Sequence, residues 1–125
     1  MSKVIFRSLG VVAICASSLL ARGNRTTPLQ QAPSQEANRL NPYQGEEDAR
    51  RAGQKLFQRE CAACHGRDAQ GGERAPALAS PMVRQAPPGA IFWVLRNGAL
   101  WRGMPSFSHL PEQQRWQIVT YLKSL

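Results

Sequence analysis

The sequence predicts an all-α domain, and three observations lead there. Apolar residues recur at three- and four-residue intervals in two separated segments: Ala49, Ala52, Gly53, Leu56 and Phe57, and later Ile118, Tyr121, Leu122 and Leu125. A third apolar segment, Ile91, Phe92, Val94 and Leu95, opens after Pro87-Pro88-Gly89 and closes at Asn97-Gly98, a helix start and a helix stop. No strand-like run precedes the cysteine motif in the middle of the chain. With 125 residues there is room for one small domain at most.

Taken in order, residues 1–23 read as an export signal, with Lys3 and Arg7 as the positive start and Ser8 to Ala21 as the apolar run. That run is short for a membrane span, which takes about twenty residues. Ala21 and Gly23 suit a cleavage after Gly23. Retention as an uncleaved membrane anchor is the alternative. Lipidation at Cys15 is a third, weakened because Ile14 stands where a small residue is needed and the apolar run continues to Leu20. Residues 24–42, polar and rich in Gln, Arg and Pro, are expected to form a flexible linker ending at Asn41-Pro42.

The domain is therefore expected over residues 43–125. Its first helix spans about 45–60, with Glu46, Glu47 and Asp48 at the start and Lys55 and Arg59 near the end, the order the helix dipole favours. Gly53 in the middle of the apolar stripe costs about 1 kcal/mol relative to alanine, which implies a second helix crossing closely there. Residues 66–76, with Gly71-Gly72, read as a connector, since no Lys-Ser/Thr or helix start follows to make a phosphate loop. Residues 99–110 form an irregular apolar loop that would be costly to order unless it covered something. The last helix, about 111–124, is the natural partner to cross the first at Gly53.

The formal charge of +8 is spread along the chain. Residues 1–42 carry five basic groups and one acid, and residues 43–125 carry eleven and seven, so each part contributes +4. No clustered basic face argues for nucleic acid.

The chemistry lies in Cys61-Ala62-Ala63-Cys64-His65. Two thiols and an adjacent imidazole at this spacing are what covalent attachment of a c-type haem requires: each thiol adds to one vinyl group, and the imidazole ligates iron. A thioredoxin-like dithiol would sit between a strand and a helix. A structural zinc site needs four ligands, and beyond the amino-terminal segment the chain offers only Cys61, Cys64, His65 and His109. A plain disulfide leaves His65 unexplained. A haem would also staple a domain whose core is modest.

The second axial position separates a carrier from a catalyst or sensor. Met104 is the best candidate, placed between Gly103, which permits close approach, and Pro105, which stiffens the loop. Thioether ligation raises the reduction potential. Met82 and His109 are the competitors, the first without a flanking glycine, the second just before the last helix.

Residues 43–125 resemble a mono-haem class I cytochrome c of the short bacterial type. The resemblance rests on the Cys61 to His65 motif, Gly53 and Phe57, Pro76 and Leu78, Gly103-Met104-Pro105, and Trp116 with Tyr121-Leu122. It implies a small cytochrome c fold, helices wrapped around one covalently bound haem. It also implies that the Pro76 carbonyl accepts a hydrogen bond from the free nitrogen of His65 and that Leu78 packs on the haem face. Trp101 and Arg102 match no motif closely enough to carry a role. The implied function is electron transport between extracytoplasmic or membrane redox partner proteins, with no catalysis of its own and a membrane tether as an option. The rivals are a cytochrome subunit of a dehydrogenase or terminal oxidase complex, an open-site haem enzyme or sensor, and a non-haem dithiol protein.

Overall fold

The computed structural model describes residues 26–125, so the segment expected to be an export signal, its expected cleavage point and Cys15 lie outside the described residues. Among the described residues six α-helices follow one another: α1 (Ser34–Ala37), α2 (Glu47–Glu60), α3 (Ala62–His65), α4 (Pro81–Gln85), α5 (Pro88–Asn97) and α6 (Glu112–Lys123). Two 3-10 turns, Pro28–Gln31 and Leu100–Arg102, complete the secondary structure. No strand occurs among the described residues; the one extended feature is an isolated bridge between Ala99 and Met104.

The frame is the crossing of α2 and α6. A Cβ on Gly53 would stand 1.9 Å from the Gln117 carbonyl oxygen and 2.5 Å from its carbon, so the helix backbones meet where only hydrogen fits. Ala49, Leu56 and Phe57 are buried on the same stripe, and Phe57 meets Tyr121 at 5.3 Å between ring centroids. Full burial of a side chain as large as Phe57 contributes about 1.5–3 kcal/mol. α5 packs on α6 through Phe92, stacked on Trp116 at 4.1 Å and 17°. Phe57, Phe92, Ile118 and Val119 are the large side chains wholly removed from water.

The amino-terminal stretch departs from the flexible linker expected over residues 24–42. From Pro28 onward it is folded and lies on α5, where a Cβ on Gly89 would stand 2.1 Å from the Glu36 carbonyl oxygen. Arg39 donates to Glu112 at 2.6 Å, and its guanidinium sits 4.6 Å from the Phe92 ring centroid. Asn41 is buried, with Nδ2 donating to the Thr120 hydroxyl at 2.9 Å and Oδ1 accepting from the Tyr43 N–H at 3.0 Å. Composition misleads here because the docking uses backbone contact, one cation over aromatic rings and one buried amide. None of these requires apolar periodicity.

Candidate functional site

α2 delivers the cysteine motif. Its cap is Cys61, whose N–H donates to the Phe57 carbonyl at 2.9 Å, and the chain restarts at once as α3 with the His65 N–H on the Cys61 carbonyl at 3.0 Å. This short turn places Cys61 in the core and leaves Cys64 exposed, both as free thiols. Burial, followed by the neighbouring Glu60 and Cys64, pushes the Cys61 thiol up to about 12. Such a thiol is protonated at neutral pH, the opposite of the lowered pKa that a catalytic dithiol needs.

His65 is buried, and its Nδ1 lies 2.8 Å from the Pro76 carbonyl oxygen. A carbonyl can only accept, so the bond requires the proton on Nδ1 and leaves the lone pair on Nε2, free to ligate a metal. The loop that brings Pro76 there depends on Gly71. This glycine has φ +78°, donates to the His65 carbonyl at 2.7 Å, and would, with a Cβ, strike the Ala77 nitrogen at 2.4 Å and the Pro76 carbonyl carbon at 2.7 Å. In sequence Gly71 reads only as part of a connector; the signal for its role lies in a close approach to Pro76 and Ala77 that spacing does not record. Leu78 is half-buried against the core, its N–H on the Ala69 carbonyl at 2.7 Å.

Met104 sits at the base of a tight turn. Its carbonyl accepts from the Ala99 N–H at 2.9 Å and its N–H donates to the Ala99 carbonyl at 3.2 Å. The side chain is half-buried and packs on the apolar cluster that contains Cys61 and against which Leu78 also packs. Gly98, with φ +72°, makes the turn possible: a Cβ there would lie 2.7–2.8 Å from backbone atoms of Met104, Pro105 and Ser106. The competing candidates are more exposed. Met82 is 54% exposed on α4, and His109 is exposed beside Phe107 at 5.9 Å between rings. Leu100 and Trp101, at the tip of the Met104 turn, are 73% and 60% exposed.

These residues fit a covalently attached haem. They offer two free thiols one turn apart, an imidazole with its tautomer fixed, and a thioether on an apolar surface. Among the described residues no three His, Cys, Asp or Glu side chains gather as a metal cluster would require.

A family model described as cytochrome c oxidase, cbb3-type, subunit III, matches residues 48–122. The chain belongs to this cytochrome c family. The cytochrome is also similar to the crystal structure of cytochrome cL from the marine methylotrophic bacterium Methylophaga aminisulfidivorans, with 26% identity and a TM-score of 0.58. That match covers 66% of this chain and 57% of the other, so the chain spans little more than half of its relative. No curated protein matches the sequence. The family is one of c-type cytochromes, whose haem is covalently bound, and the all-α fold of this chain agrees with it. Cytochromes of this type are typically extracytoplasmic and work with redox partners. No helix among the described residues is long and apolar enough to cross a membrane.

Proposed function

We propose that this cytochrome is an exported single-electron carrier, not an enzyme, in which both axial positions of the iron are filled by the chain. Cys61 and Cys64 would hold the haem through thioether bonds, His65 would ligate the iron through Nε2, and Met104 would ligate it through sulfur. The bound group supplies a one-electron ferric/ferrous couple. The protein would fix the imidazole through Pro76 and, with Met104 as the second ligand, would leave no site on the iron for a substrate. The observation that carries this reading is Met104 itself, half-buried on the apolar cluster at the base of a turn bonded twice to Ala99. A signal at residues 1–23, cleaved or kept as a tether, suits delivery to the periplasm or the outer face of the membrane.

Carbon monoxide distinguishes carrier from open-site enzyme or sensor. The spectrum of the reduced protein is expected to change little on exposure, because Met104 occupies the position. Rapid stoichiometric binding would assign the protein to the open-site class.

A second reading, a cytochrome subunit held permanently in a larger complex, is favoured by the family description and by Leu100 and Trp101 standing in solvent beside the Met104 turn. Purification from the native host under mild conditions tests it. A carrier runs at the size of the isolated chain, and a subunit co-elutes with partners in fixed ratio.

A further inference from the structure

We infer that Arg115 is a positioning residue that latches the Met104 loop onto α6, an inference that rests on the reading of Met104 as an iron ligand. Arg115 lies in the first turn of α6 and is buried. Its Nη1 donates to three carbonyls of one short segment: Leu110 at 2.7 Å, Ser108 at 3.1 Å and Phe107 at 3.4 Å. The bonds to Ser108 and Leu110 are the hydrogen bonds those two carbonyls accept among the described residues.

The setting is unusual for a cation. No carboxylate lies within ion-pair distance of Arg115 among the described residues, and its Nε is buried without a hydrogen-bond partner. The guanidinium carbon rests 5.1 Å from the Phe92 ring centroid. A buried arginine without a carboxylate is expensive compared with an apolar side chain of the same volume, so packing alone does not account for it. What the guanidinium does that a hydrocarbon cannot is bring one charged N–H group to three carbonyl dipoles at once.

Those carbonyls belong to the segment that carries Met104. The same segment is tied to α5 by the Phe107 N–H on the Leu95 carbonyl at 2.8 Å and by the Ser106 hydroxyl on the Arg96 carbonyl at 2.6 Å. Arg115 adds the tie to α6. Met104 stands three residues before Phe107 in the same loop, and Pro105 between them fixes one φ, so the tie at 107–110 bears on the backbone that presents the thioether. Latched from both helices, the loop holds the sulfur in place. Released from α6, it lets the sulfur leave.

The test uses the haem-loaded full chain with Arg115→Met and Arg115→Lys. Three readouts apply: the long-wavelength band of thioether-ligated ferric iron, carbon monoxide binding to the reduced protein, and amide exchange over residues 105–110. In Arg115→Met the band is expected to fall and the fraction binding carbon monoxide to rise about tenfold, the effect of losing one charge-assisted hydrogen bond, with faster exchange over 105–110. Covalent haem should be unchanged. Arg115→Lys keeps the charge on a shorter side chain that does not reach all three carbonyls and should fall between; if Arg115→Met does not fold, the lysine variant decides alone. A wild-type band that persists in the variants, with wild-type carbon monoxide behaviour, overturns the latch whatever happens to the melting temperature or exchange. A wild-type protein that lacks the band overturns the Met104 reading, and the latch with it.

Discussion

The two sides of the candidate haem site are built differently. The attachment side is local: Cys61, Cys64 and His65 follow one helix end, and the Pro76 carbonyl that fixes the imidazole comes from eleven residues further on. The covering side is assembled from distant parts. Met104 depends on Gly98 for room, on Leu95 and Arg96 of α5 for backbone ties, and on Arg115 of α6 for carbonyl contacts. The lesson is that covalent attachment survives local errors that ligation does not. A bond to sulfur tolerates loose packing, whereas a thioether ligand must be held where the iron is.

Experiments can break this comparison, beginning with the largest effect. Replacing both Cys61 and Cys64 with serine should abolish haem staining after denaturing electrophoresis. Changes on the covering side should leave staining intact. A stained double variant would mean that the thiols are not the attachment points.

The glycines sharpen it further. Gly98→Ala places a Cβ against the backbone of Met104 to Ser106 at positive φ, with an expected cost of about 2–4 kcal/mol. Thermal unfolding should register the cost, and the thioether band should weaken. Gly71→Ala meets backbone just as tightly, at Ala77 and Pro76, and should cost a similar amount. Its spectral effect differs: the imidazole loses its Pro76 partner, so the reduction potential shifts while the thioether band stays. Identical spectra for the two variants would deny that the sides act separately.

Much of this was legible in sequence where the determinants are close together. The stripes of α2 and α6, the stop at Gly98 and the cysteine motif all declare themselves within a few residues. Gly53 also declared its crossing, because a glycine inside an apolar helix stripe has few other reasons to be there. The Pro76 contact came from resemblance rather than from spacing. Gly71 and Arg115 could not be found, since each acts on backbone that the fold brings to it. The docking of the amino-terminal arm is hidden for the same reason: Arg39 meets Glu112, Phe92 and Trp116 only where α5 and α6 pack together.

That arm yields the smallest effect. The hydrogen bond from Arg39, and more weakly that from Trp116, lowers the Glu112 carboxyl below the ordinary range. A depressed folded-state pKa means that the stabilisation is complete above the unfolded glutamate value of about 4.3 and is lost as pH falls through the folded value. The pair is largely exposed, so its worth is under about 1 kcal/mol. Melting temperatures of wild type and Glu112→Gln should differ slightly at pH 7 and converge in acid. A difference that grows in acid would contradict the assignment.

The claim on which the rest depends is that Met104 binds the iron, and absorption of the ferric protein with and without Met104→Ala tests it most directly. The account predicts a thioether band in the wild type that disappears in the variant, with covalent haem retained and carbon monoxide now binding the reduced form. A variant spectrum indistinguishable from wild type would place the ligand elsewhere and contradict it.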